Sequence, residues 1–351
     1  MDTETRTVEA NGVAFECVEV GDGDRLALCL HGFPDDAGSM APLQSRLAEA
    51  GYTAVAPYMR GYAPTGSAPD GDYSARALGA DAVALAEAYT ERESFDRAVL
   101  VGHDWGAVAG YAAAVRSPET FDRMATLAVP PRFDALLVRH PRQLVRSWYI
   151  WLFQARGLAE RAVRWQDFAL VEFLWGTWSP SWDYPGERIE SVKATLSEGE
   201  TVENALAYYR QFVGPAVRRA VSSGSIPAVN RGRRIEVPTL VLAGAEDGGI
   251  GPELFDRAEE AFDARCRVVR VDGAGHFLHQ ERPGVVGEEV VSFLTGSDDT
   301  PWGDTAGDDA TGDGDATGGG DDATGDGATG DDATGGDATG DGGDAAGGDG
   351  D

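Results

Sequence analysis

Lysine is all but missing from this sequence: Lys193 is the single one, and arginine supplies the other 28 of 29 basic residues. Basic charge is scarce altogether, since 59 acidic residues leave a net charge of -30. That balance argues against nucleic acid or an anionic membrane as partner, because both require a cationic face. Cysteine is limited to Cys17, Cys29 and Cys266, with no CxxC spacing. A disulfide framework or thiolate metal site is therefore not expected, and the three read as buried, reduced packing residues. No run reaches 18 apolar residues, and Met1 to Arg6 are not a basic stretch leading into an apolar one. Neither membrane insertion nor export is indicated, so a cytoplasmic location is expected.

From Ser297 onward the chain is almost wholly Gly, Asp, Ala and Thr, with 17 aspartates and no base. Its approximate repeats, such as Gly307–Gly314 and Gly320–Gly327, lack the apolar position a calcium-binding β-roll needs. A disordered, self-repelling acidic tail over 297–351 is expected. Without those 17 aspartates, 42 acids still face 29 bases, a net -13. This acidic, lysine-poor composition resembles that of proteins from salt-loving organisms, where near-molar salt shortens the screening length to about 3 Å.

What remains, residues 1–296, is long enough to bury a substantial core. Strands at Arg6–Glu9, Val13–Val20, Leu26–Leu30, Thr53–Pro57, Ala98–Val101, Met124–Val129, Thr239–Ala243 and Cys266–Val271 alternate, after the first three, with helical patterns. The helices expected between and after them are Met40–Ala48, Leu78–Tyr89, Ala107–Arg116, Pro252–Phe262 and Val285–Leu294. Such alternation specifies an α/β fold with a mainly parallel, doubly wound sheet, its site at the carboxyl ends of the strands. The alternation stops over 132–224, which holds six of the eight tryptophans. This stretch reads as a helical cap, with helices Leu136–Phe153, Leu158–Phe173, Glu187–Leu196 and Val202–Phe212, inserted between core parts 1–131 and 225–296.

The most informative stretch is Gly102-His103-Asp104-Trp105-Gly106, where a β-branched strand turns directly into a helix. Glycines two before and two after Asp104 suit a strained nucleophile elbow, whose tip projects into the site. The competing reading is an ordinary strand-to-helix turn with Asp104 as N-cap. Two partners should follow in the order acid, histidine, and each comes after a later strand: Asp247 after Gly244, and His276 in Gly273-Ala274-Gly275-His276. Glu246 and Asp134 are competing acids. His103 should point away from the site, His140 lies in a polar cap segment, and His279 reads as structural. A carboxylate at the tip is already ionised, so it can displace a leaving group from an sp³ carbon and form an alkyl ester on itself. His276, oriented by Asp247, is then left to activate water against that ester. The backbone N–H groups of Phe33 and Trp105 are the expected oxyanion donors.

Together His31-Gly32-Phe33-Pro34, Arg60-Gly61-Tyr62, the elbow, Asp247 and Gly275-His276 resemble the epoxide hydrolase branch of the α/β-hydrolases, over nearly all of 1–296. The resemblance implies opening of epoxides to vicinal diols without metal or organic cofactor, on a small apolar substrate. It also implies two cap tyrosines that donate to the epoxide oxygen, for which Tyr149 and Tyr209 stand in similar segments. Phe33, Trp105 and Trp151 are expected to line the substrate. Haloalkane dehalogenases share the aspartate chemistry but hold a halide between two N–H donors; here Trp105 would be one, and Trp148, Trp151 or Trp175 the other. A non-catalytic protein on the same fold would show a broken triad. The segment Arg60 to Gly66 and the pair Gly248-Gly249 depart from the branch pattern.

Overall fold

A computed structural model describes residues 3–93, 95, 97–134, 136, 140–223 and 233–296, with backbone alone for 214–223. The acidic tail expected over 297–351 lies outside the described residues. Eight strands form one sheet in the order β1-β2-β4-β3-β5-β6-β7-β8. They are β1 Thr3–Ala10, β2 Val13–Val20, β3 Arg25–Leu30, β4 Tyr52–Pro57, β5 Ala98–His103, β6 Phe121–Leu127, β7 Thr239–Gly244 and β8 Cys266–Val271. The pairs β1/β2 and β2/β4 are antiparallel and all later neighbours are parallel. Strands β5 and β7 are buried along their whole length, as their continuous apolar runs require when helices cover both faces. Each Leu or Val fully buried there contributes about 1.5–3 kcal/mol. At the edge, β8 is only half-buried, which leaves Cys266 partly exposed while Cys17 and Cys29 are buried as expected.

Helices α1 Ala41–Glu49, α2 Ala75–Glu93 and α3 Trp105–Arg116 connect the first parallel strands. Between β6 and β7 the chain leaves the sheet and runs through α4 Pro141–Arg146, α5 Trp148–Leu152, α6 Leu158–Arg164, α7 Ala169–Trp178, α8 Gly186–Ser197 and α9 Thr201–Ser223. The chain ends its described part with α10 Leu278–Glu281 and α11 Pro283–Thr295. Sheet and insertion pack as one compact unit. Among the described residues no helix is long and apolar enough to cross a membrane.

Three of the expected helices are interrupted. Leu136–Phe153 breaks at Ser147, where the buried Gln143 side chain donates to Ser147 Oγ and to the Gly249 carbonyl, both at 2.8 Å, and accepts from Gly251 N–H. The insertion is thereby tied to the loop that follows β7. Leu158–Phe173 breaks at Gln166, Asp167 and Phe168, all with positive φ. Lys193, the sole lysine, holds that bend by pairing with Asp167, Glu172 and Glu190. Pro252–Phe262 is two 3-10 turns, because Ile235 donates its N–H to the Ala261 carbonyl and accepts from Asp263 N–H, drawing the backbone off an α path.

Arg60 anchors the loop that follows β4. It is 1% exposed and makes a two-pronged pair with Asp81 on α2, at 2.5 Å for each contact. Its carbonyl accepts from the Tyr208 hydroxyl at 2.8 Å, so the loop after β4 carries the insertion's last helix. Breaking a buried pair strands a charge, at a cost of about 3–5 kcal/mol. Asp81→Ala is expected to lower unfolding free energy by that amount in denaturant titrations, whereas an exposed pair such as Arg97 with Asp122 should contribute under about 1 kcal/mol.

Candidate active site

Parallel register brings four loops to one end of the sheet. Leu30 pairs with Gly102, His103 with Leu127 and Gly244 with Val271, so the residues after β3, β5, β7 and β8 emerge side by side. Asp104 sits at the turn with φ 50° and ψ -113°, a strained conformation for a residue with a side chain. The glycines around it are obligatory. A Cβ on Gly102 would lie 2.3 Å from the Gly106 carbonyl oxygen, and one on Gly106 would lie 2.1 Å from that of Leu30. The turn thus holds Asp104 at the mouth of α3, and its side chain forms no N-cap bond there. Instead, Oδ1 accepts from Phe33 N–H at 2.8 Å. Trp105 N–H, the first of α3 and the other expected donor, lies near the same point: a Cβ on Gly32 would sit 2.7 Å from Trp105 N and 2.4 Å from Asp104 Oδ1.

The other oxygen of Asp104 faces His276. Its Oδ2 lies 3.6 Å from His276 Nε2, too long for a hydrogen bond, and Nε2 is otherwise unpartnered. On the far side His276 Nδ1 is 2.8 Å from Asp247 Oδ2, and Asp247 Oδ1 accepts from Gly249 and Ile250 N–H at 2.7 and 2.8 Å. Burial alone would lower the imidazole, but the charges of Asp247 and Asp104 outweigh it and push His276 up to about 10. The competing acids lie elsewhere, with Glu246 bonded to Ser181 and Asp134 exposed. Gly248-Gly249, the second departure from the branch pattern, follows from crowding. A Cβ on Gly248 would lie 2.0 Å from the Thr177 carbonyl oxygen, where the end of α7 packs against the acid's loop. The next carbonyl, Trp178, accepts from both Gly248 and His276 N–H at 3.1 Å.

Tyr149 from α5 and Tyr209 from α9 meet over this pair of loops, ring centroids 5.9 Å apart. The Tyr209 ring lies edge-on to Phe33 and Trp105, at 5.5 and 5.0 Å. Both phenols are held well above their ordinary pKa by burial, with the Asp104 charge adding to it, so both carry their protons. The Tyr209 hydroxyl has no hydrogen-bond partner among the described residues. Tyr208 faces the other way, toward Arg60. Trp151 is not brought in: it is 41% exposed, on the outer side of α5 from Tyr149 and Ile150, because a five-residue helix can turn only one face inward. Phe153 and Trp178 pack against the Tyr149 ring instead, at 5.8 and 4.8 Å. Trp178 was not singled out in the sequence, where nothing separates it from the other tryptophans of the insertion. His103 points away from the pocket, with Nε2 2.9 Å from the His276 carbonyl oxygen.

A sequence profile of the alpha/beta hydrolase family matches residues 27–289. Epoxide hydrolase A of Mycobacterium tuberculosis is 31% identical over 325 residues, spanning 83% of this chain and 97% of that protein. An epoxide hydrolase of Caballeronia sordidicola is 27% identical, over 83% of this chain and 93% of its own. The crystal structure of epoxide hydrolase A from Mycobacterium thermoresistibile matches with a TM-score of 0.68 at 29% identity, covering 84% and 99% of the two chains. Since the profile runs from β3 into the last helix and so takes in the sheet, the insertion and the strained aspartate turn, the chain belongs to the alpha/beta hydrolase family.

Proposed function

We propose that the protein hydrolyses epoxides to vicinal diols through an alkyl ester on Asp104, under a cap formed by the insertion 132–224. The observation that carries this reading is the division of labour between the two Asp104 oxygens. Oδ1 is engaged by Phe33 N–H, while Oδ2 has no hydrogen-bond partner among the described residues and faces His276 Nε2 at 3.6 Å. Oδ2 attacks an epoxide carbon and the ring C–O bond breaks. Tyr209 and Tyr149 donate to the departing oxygen as charge develops on it. Oδ1 becomes the ester carbonyl, already among the donors that stabilise the tetrahedral intermediate. Water deprotonated by His276 then attacks that carbon, and the diol leaves with Oδ2 while the water oxygen stays on Asp104. The apolar lining of Phe33, Trp105, Phe153 and Trp178 suits a small apolar substrate.

A single turnover in ¹⁸O-labelled water tests this directly. Label is expected in Asp104 and not in the diol; label in the diol alone would mean direct attack by water. Tyr209→Phe is expected to lower kcat by about 10²-fold, the worth of one such donor, and the double Tyr149/Tyr209→Phe variant by more. Steady-state assays on a styrene-type epoxide would measure both.

The acid–base state of His276 sets the pH profile. In the free enzyme two flanking carboxylates keep it protonated to about pH 10. Forming the ester removes the charge of Asp104, so the imidazole pKa falls and the ring becomes a base for water. Ester hydrolysis requires the neutral ring, so kcat is expected to rise with pH and the ester to accumulate at low pH, measurable by rapid quench and mass spectrometry. The stabilisation from the raised pKa runs the other way. It is complete below the ordinary value of 6.5 and is lost as pH rises through about 10.

The haloalkane reading rests on Trp105, whose indole N–H is buried without a partner. None of the three tryptophans expected as the second donor is placed for it. Trp175 Nε1 donates to the Pro34 carbonyl at 2.9 Å, and Trp148 and Trp151 are 39% and 41% exposed. Halide release from bromoalkanes without epoxide turnover would favour that chemistry instead. A non-catalytic role is disfavoured by the juxtaposition of Asp104, His276 and Asp247.

A further inference from the structure

Three side chains that the hydrolytic reading leaves idle converge behind His276. Asp35 comes from the loop after β3, His103 closes β5 and His279 lies on α10. One ligand-competent atom of each lies within 4.8 Å of the other two, and all three residues are fully buried, at 0% exposure. Unpaired nitrogen singles the cluster out. His103 Nδ1 and both ring nitrogens of His279 lack a hydrogen-bond partner among the described residues, in an interior where buried polar atoms are almost always satisfied. The two ring centroids are 4.4 Å apart, with the planes tilted by 45°.

The outer contacts of the cluster are those of ligands. His103 Nε2 is 2.9 Å from the His276 carbonyl oxygen. A carbonyl can only accept, so Nε2 carries the proton and Nδ1 presents a bare lone pair, the arrangement that fixes a metal-binding imidazole. Asp35 is held by its own partners: Oδ1 accepts from Asp36 N–H at 2.9 Å and from Arg188, and Oδ2 from Gln280 Nε2 at 2.9 Å. Arg188 also pairs with Asp36, so one guanidinium is shared between two carboxylates. Two imidazole nitrogens and a carboxylate oxygen are a donor set for zinc rather than for calcium or magnesium, which take oxygen ligands.

We propose that Asp35, His103 and His279 form a buried site for a zinc-class divalent ion, structural in role and braced against the back of the loop that carries His276. The ion fixes His103, and His103 holds the carbonyl of His276. No spacing motif links the three residues, which is why the sequence reading expects no metal. The site is separate from the epoxide chemistry and stands or falls without it.

The test uses the untagged full-length chain, produced in medium supplemented with Zn²⁺ or Co²⁺ and gel-filtered in competing salt to clear ions held loosely by the acidic tail. One ion per chain is expected by elemental analysis. The Co²⁺ form should show visible bands of a nitrogen-ligated ion distinct from those of the aqua ion, X-ray absorption should count two imidazoles, and stripping the ion with chelator should lower the melting temperature. His279→Gln should abolish retention of the ion. No retained ion, fewer than two imidazoles, an all-oxygen spectrum, or retention undiminished in His279→Gln would each overturn the proposal. If that variant does not fold, the imidazole count on the unaltered chain decides.

Discussion

Replacing Asp104 with asparagine is expected to lower epoxide turnover by about 10⁴-fold or more, the scale seen when a covalent nucleophile is removed. Asparagine is the right probe because it keeps the size and shape of the aspartate side chain at a turn whose φ 50° and ψ -113° are strained for any residue but glycine, so the substitution adds no new strain. The Asn carbonyl can also keep the bond from Phe33 N–H, so the elbow stays assembled. What is lost is the ionised oxygen facing His276, and no neighbour can replace it, since Asp247 is spent on His276, Gly249 and Ile250. The variant should therefore fold and bind substrate while forming no ester, as judged by circular dichroism, substrate protection and mass spectrometry. Residual turnover within tenfold of the parent would mean that water attacks the epoxide directly. The covalent reading would then be lost.

The strand ends of this fold were legible because the motifs there are written in local chemistry. Glycines flank Asp104 since backbone passes within 2.1–2.3 Å of where their side chains would be, and each loop follows a continuous apolar strand. The triad order could be read for the same reason. Tyr149 and Tyr209 came from resemblance, not from periodicity, and their neighbour Trp151 shows the difference: the same short helix carries one residue inward and the other out. The helix breaks at Ser147 and at Gln166 to Phe168 were illegible because they are imposed from a distance, by the loop at Gly249–Gly251 and by Lys193. Trp178 is illegible on similar grounds, since both its carbonyl and its ring meet residues far along the chain.

His276→Gln separates the two halves of the reaction. The first half needs Asp104 Oδ2 and the phenols, and glutamine leaves both in place. The second half needs a base within reach of a water held near the ester, and glutamine is not one. Ring opening should then proceed once per enzyme and stop, giving one equivalent of alkyl-enzyme whose added mass maps to the peptide containing Asp104. Steady-state turnover should fall by about 10³-fold, within the range attributed to a positioned general base. Asp247→Asn is expected to act in the same direction, because Asp247 both orients the ring through Nδ1 and sustains its raised pKa. Its ester hydrolysis should rise with pH through an imidazole pKa shifted down by the loss of the Asp247 charge, a dependence that the glutamine variant lacks because it has no ring to titrate. Equal pH dependence in the two variants would remove His276 from the hydrolytic step and leave the ester to be cleaved by some other group near Asp104.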